Sequence, residues 1–158
     1  MVRYLPAAIQ EPRRPLIAIL VGWALAFFPS LALSALTQLL LPQVEHPQFE
    51  ITQGTILLFV LFAPFVETLI MAAFLELMLR LKLPPALAIV LSAIGWGAAH
   101  SAAAPAWGLV IWWPFLIFST LYVTWSKRSI AGAVLLVTAV HALQNLFPSL
   151  LLASGNAG

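Results

Sequence analysis

From Leu16 to Leu41 the chain passes 26 residues without a charged side chain, and a helix needs only about 20 apolar residues to cross the hydrocarbon core of a bilayer. Such runs recur. With Pro, Gly and charge clusters as punctuation, five apolar segments stand out: Leu16 to Leu41, Ile56 to Leu79, Ala86 to Ala104, Trp107 to Trp125 and Ile130 to Ala153. Charged residues are 8% of the 158, far below the roughly 25% of a soluble domain, so a water-soluble fold is excluded. The expectation is an all-α polytopic transmembrane helix bundle of about five spans. Residues 1–15 read as a cytoplasmic N-terminal segment and residues 16–153 as a single transmembrane domain. Any chemistry must lie within or beside the bilayer.

The formal net charge of +2 rests on seven basic residues, and their positions explain them as topology signals; no nucleic-acid partner is expected. Arg3, Arg13 and Arg14 precede the first segment, Arg80 and Lys82 follow the second, and Lys127 and Arg128 follow the fourth. In a five-span chain all of them fall on one side, and positively charged short loops stay cytoplasmic. The N-terminus is therefore expected in the cytoplasm and the tail from Ser154 to Gly158 outside, in a multi-pass protein of the cell membrane. Basic residues before an apolar run are also the layout of a secretory signal peptide. This run far exceeds the about 7 to 15 residues of a signal h-region, so it is read as a retained span, although Ser30 to Ala35 mimics a cleavage site. With no Cys there is no thiolate nucleophile or thiolate metal site.

Trp107 and Trp125 mark the two ends of the fourth segment, as an aromatic belt does. Pro64, Pro114 and Pro148 interrupt helical runs, and each frees a backbone carbonyl that must find another donor in lipid. Kinks or re-entrant turns are expected there. Glu11, Glu45, His46 and Glu50 fall in aqueous segments and are assigned no chemistry.

An ionisable residue inside a span costs about 2.5 to 3.5 kcal/mol on insertion scales, so each one needs a reason. Glu67, His100, His141 and Asn145 stand out, on the second, third and fifth segments. His141 and Asn145 are i and i+4 and share a helix face. At about 1.5 Å per residue from the outer ends, Glu67 lies about 17 Å deep, His141 about 18, Asn145 about 12 and His100 about 6. His100 fits least well; a bent third span, or a second helix that begins at Pro64, would close the gap. A single polar residue would read as interhelical hydrogen bonding worth about 0.6 to 2 kcal/mol, whereas this set on three spans reads as a functional site. Glu76 lies roughly 180° around the helix from Glu67 and four residues before Arg80, so a structural i,i+4 ion pair is expected. Thr68, Ser92, Ser119, Thr120 and Thr138 are expected to bond back to the preceding turn. No Gly-x-Ser-x-Gly elbow supports a serine protease.

Glu67 and His100 can together activate a water, since an imidazole beside a carboxylate shares its proton and keeps it competent as a base. His141 and Asn145 offer N–H donors suited to the oxyanion that forms when water attacks an amide carbonyl. The same Glu/His/His set also suits a divalent metal, proton carriage in a small transporter, or a non-enzymatic immunity or partner-binding protein. On the residues alone these stay open.

Pro64-x-x-Glu67, then Trp96-x-x-x-His100, then His141-x-x-x-Asn145 resembles the CAAX-protease-and-bacteriocin-processing family, which includes type II CAAX prenyl endopeptidases and lysostaphin-resistance-like proteins. The resemblance covers about Ala63 to Leu146. It implies an intramembrane endopeptidase with its protease-like core at about 56–153, acting on a membrane-associated protein or peptide in the lipid bilayer, with no cofactor assigned. Glu67 and His100 would activate water, and His141 and Asn145 would form the oxyanion site. The family's first motif usually reads Glu-Glu-x-x-x-Arg, where this chain has Thr68 and Ala72, and Trp96 stands where Phe is usual. These departures remove an internal ion pair rather than the inferred base, and the resemblance does not extend to a prenylated substrate.

Overall fold

A computed structural model describes residues 6–45, 47 and 52–155. Arg3, His46, Glu50 and the last part of the expected outer tail, 156–158, lie outside the described residues. The elements are α1 (Ala7–Gln10), α2 (Pro15–Leu40), α3 (Gln53–Leu57), a π-helical segment (Leu58–Phe62), α4 (Ala63–Arg80), α5 (Pro85–Ser101), α6 (Pro105–Trp125) and α7 (Ile130–Gly155). There is no strand among the described residues.

All five apolar segments form helices, though the first ends at Leu40 and the third at Ser101, three residues before Ala104, and local chemistry sets their ends. Helices α2, α5 and α6 open on Pro15, Pro85 and Pro105, where the missing N–H costs nothing and φ is already helical. The second segment starts before Ile56 because Thr52 and Thr55 form a reciprocal capping box, each side chain bonded to the other's backbone N–H. Helix α4 ends in a Schellman turn: Leu83 N–H reaches the Met78 carbonyl at 3.1 Å and Lys82 N–H the Leu79 carbonyl at 3.0 Å. Lys82 takes the left-handed position at φ 62°.

Four helical stretches are long and apolar enough to cross a membrane: Pro15–Leu40, Gly54–Arg80, Pro105–Trp125 and Ile130–Leu151. Helix α5, with 17 residues, is apolar but shorter; at about 25 Å it falls just short of a hydrocarbon core of about 30 Å. The chain is a polytopic helical bundle. Helix α6 is its centre, buried at every position from Pro114 to Trp125. Its Phe115, Phe118 and Leu121 belong to one core with Met71 and Leu75 of α4, Ala93 of α5, Ala26 of α2 and Val137 of α7. Leu61, Leu69, Leu77 and Leu135 are exposed, as side chains facing lipid should be. Helices α5 and α6 approach through Gly97 and Gly108, where a Cβ on Gly108 would collide with Ser101 Oγ and the Gly97 carbonyl. Small residues allow this close approach.

Long-range hydrogen bonds fix which helix ends lie together. Arg128 donates to the Pro12 carbonyl at 3.0 Å, joining the α6–α7 turn to the start of α2. Tyr122 donates to Glu76 Oε1 at 3.0 Å, joining the late halves of α6 and α4. At the other end, Ala106 N–H reaches the Glu45 carbonyl at 3.1 Å. The described basic residues thus gather at one end. The N-terminal segment is more than an aqueous tail, because Ile9 in α1 is fully buried. Trp125, expected as an anchor at a helix end, stands at the end of α6 and is 6% exposed.

Pro114 and Pro148 lie inside helices as expected, and so does Pro29. Pro29 offers no N–H to the Leu25 carbonyl four residues back. The Trp113 indole N–H donates to that carbonyl at 2.8 Å, so a side chain of α6 satisfies a backbone group freed in α2.

Candidate active site

Glu67 sits in the second turn of α4 and His141 near the middle of α7, and the fold brings Glu67 Oε2 and His141 Nε2 to 3.7 Å. Their side chains are 26% and 5% exposed, respectively. The gap is too long for a direct hydrogen bond but lets both atoms address one shared oxygen. His141 Nδ1 is buried without a hydrogen-bond partner, so Nε2 is the edge of the ring that meets a polar group.

A backbone bond fixes the tautomer of His100. Its Nδ1 lies 2.9 Å from the Trp96 carbonyl, and since a carbonyl only accepts, Nδ1 holds the proton and Nε2 keeps a lone pair. The two histidines meet through Phe115, whose ring centre is 5.8 Å from His100 and 5.4 Å from His141. Trp96 stacks on Phe115 at 4.4 Å, and Phe118 packs against His141 at 4.7 Å. Trp107, expected only as an anchor, packs edge-on to His100 at 4.5 Å. These rings make the surroundings of the two imidazoles apolar, which strengthens electrostatic interactions there. Phe115 carries no polar signal in an apolar segment, so the sequence alone does not single it out.

Asn145 turns elsewhere. Its Nδ2 donates to the Phe59 carbonyl at 3.0 Å, and the π-helical segment explains why. Ala63 N–H reaches back five residues to the Leu58 carbonyl. In that register the donor for Phe59 falls on Pro64, which has no N–H, and Asn145 supplies one from α7. A carboxamide has two N–H groups, and this bond uses one.

Of the four predicted residues, Glu67 and His141 are brought into contact. His100 joins through Phe115, and Asn145, one turn along α7 from His141, is bonded to the π segment that leads into α4. Thr68 and Ala72, which replace the usual Glu and Arg, are 0% and 6% exposed and belong to the packed interior. Glu76 is held differently from expectation: it accepts the Tyr122 hydroxyl, and among the described residues Arg80 makes no ion pair with it. Thr120 bonds back to the Leu116 carbonyl at 2.7 Å as expected. Ser119 instead crosses to Ser92 Oγ at 2.9 Å, and the hydroxyls of Thr68 and Thr138 are buried without a partner. Among the described residues no three His, Asp or Glu side chains gather at metal-binding spacing.

A bundle of membrane-span helices that seats a carboxylate against an imidazole in its interior defines a multi-pass membrane protein with an intramembrane polar site. The chain belongs to the type II CAAX prenyl endopeptidase Rce1-like family, which it matches over residues 51–147, more than half its length. That family implies a CAAX-type intramembrane protease whose substrate is membrane-associated. No curated protein and no solved structure matches the chain.

Proposed function

We propose that this protein is a glutamic-type intramembrane endopeptidase, with its working core at about 56–153, that hydrolyses a peptide bond of a membrane-associated protein or peptide. The observation that carries this reading is the approach of Glu67 Oε2 to His141 Nε2 at 3.7 Å across two helices of an apolar bundle. Two ionisable groups inside lipid are costly unless function retains them.

Glu67 takes a proton from water as its oxygen attacks the scissile carbonyl, and the Nε2 lone pair of His100 shares that proton. His141 Nε2–H and the second N–H of Asn145 donate to the oxyanion that develops on the carbonyl. Collapse of the tetrahedral intermediate breaks the C–N bond, and the proton held by the Glu67–His100 pair passes to the leaving nitrogen. The short distance between Glu67 and His141 lets base and oxyanion donor act on one carbonyl. His100, with its proton on Nδ1, is suited to accept at Nε2, and His141 donates in its Nε2–H form. With Thr68 and Ala72 packed where an ion pair is usual, the departure bears on substrate choice rather than on the base.

Comparative proteomics of membrane substrates in cells carrying wild type or Glu67→Gln tests the proposal. A membrane-associated protein that accumulates uncleaved only in the variant supports it. Identical substrate patterns in the two strains contradict it.

A further inference from the structure

Where α2 begins and α6 gives way to α7, a cavity of about 490 Å³ opens at the basic end of the bundle. Arg13 and Arg128 line part of it, and Ile19, Trp125, Leu135 and Leu136 form an apolar wall. We propose that this cavity binds an anionic phospholipid, with the phosphate held by the two guanidinium groups and an acyl chain lying along that wall.

Both arginines have donors to give. Arg13 pairs with Glu11 at 3.2 Å, but the two side chains are 82% and 52% exposed, and surface pairs of this kind bind weakly. Arg128 spends one N–H on the Pro12 carbonyl, out of the five a guanidinium carries. Its planar fork matches phosphate oxygens two at a time. Ser129 already accepts the Gly132 N–H at 3.1 Å, so the start of α7 is capped and the charge rests on the arginines.

Depth argues for a lipid rather than a soluble anion. Ile19 lies in the second turn of α2 and Leu136 in the second turn of α7, roughly 6 to 10 Å below the helix ends at about 1.5 Å per residue. The cavity therefore runs from headgroup level into the upper acyl chains. Leu135, on the cavity wall, is 66% exposed, and Trp125, whose indole N–H is buried without an acceptor, lines the cavity at the end of α6. A free phosphate would leave that wall unused, and anionic lipids are most abundant on the side where basic residues collect.

The test is lipid retention by the full chain in neutral detergent, read by native mass spectrometry with phosphatidylglycerol or phosphatidylcholine. Wild type should retain phosphatidylglycerol in preference, and an Arg13→Gln/Arg128→Gln variant should retain it about tenfold less, as loss of charge-assisted contacts implies. Gly132→Leu fills the cavity without changing charge, since a Cβ there meets only Ser129, at 3.4 Å; it should lower retention as well, and it decides the matter if the double variant fails to fold. An Arg80→Gln/Lys82→Gln variant, equal in charge change but away from the cavity, should retain lipid normally. Equal retention of both lipids, equal loss in the Arg80/Lys82 variant, or displacement by millimolar inorganic phosphate would each overturn the proposal.

Discussion

The side-chain amide of Asn145 on α7 donates to the main-chain carbonyl of Phe59 at 3.0 Å, one turn before Glu67's helix begins. This bond couples a candidate oxyanion donor to the register of the segment that delivers the candidate base. Pro64→Ala adds a backbone N–H in register with the Phe59 carbonyl, so it should make the Asn145 bond less important to the fold. Asn145→Ala is expected to cost about 0.5 to 1.5 kcal/mol in the wild-type background, the net worth of one hydrogen bond to a part-buried carbonyl, and clearly less in Pro64→Ala. Unfolding in detergent across this double-mutant cycle checks it; equal costs in both backgrounds would break the link. Cleavage should stay about a hundred- to a thousandfold slower in both, as for loss of one oxyanion donor.

Glu76 supplies a same-chemistry contrast to Glu67. Glu76→Gln keeps an oxygen for the Tyr122 hydroxyl, so stability and cleavage should remain near wild type. Tyr122→Phe removes the donor and leaves the Glu76 carboxyl without it, at an expected cost of about 1 to 3 kcal/mol. Thermal unfolding of the two variants should rank Tyr122→Phe as the more damaging; the reverse order would contradict the pairing at 3.0 Å.

The α5–α6 hairpin carries His100, Trp96 and Phe115, and its two helices touch at Gly97 and Gly108. Gly108→Val must push Ser101 and the Gly97 backbone aside, and overpacking of this kind costs about 1 to 3 kcal/mol. Because Ser101 adjoins His100, cleavage should fall further than folded yield does. A variant with wild-type activity per folded molecule would show that this contact does not hold His100 in place.

Much of the bundle is legible in the sequence because lipid punishes errors there. Charge inside a span is costly, so Glu67, His100 and His141 declare themselves, and prolines at helix starts mark three of the boundaries. The early start of α3 is hidden because the Thr52–Thr55 cap sits in a polar connection that carries no hydrophobic pattern. Phe115 is apolar among apolar residues. The bonds from Asn145 to Phe59 and from Trp113 to Leu25 depend on which helices are neighbours, across 86 and 88 residues of sequence. A proline announces that a carbonyl is released but not which side chain will reach it. The Glu76–Arg80 spacing permits an ion pair, yet the buried Tyr122 hydroxyl takes the carboxyl instead.

The gathering of the described basic residues at one end predicts that this end is cytoplasmic. Reporter fusions after Gln43 and after Lys127 should give opposite signals, with Lys127 cytoplasmic. Equal signals would overturn the topology.

In the proposed mechanism everything turns on Glu67 as the base. Once a cleaved substrate is identified, its turnover by purified, chelator-treated enzyme tests this most directly. Glu67→Gln preserves size and most hydrogen bonding but removes the proton acceptor, so cleavage should vanish while folding and substrate binding persist, and Glu76→Gln should cleave near normally. Wild-type turnover by Glu67→Gln, or loss of activity in Glu76→Gln alone, would contradict the account, and loss of wild-type activity on chelation with recovery on added zinc would move the chemistry to a metal.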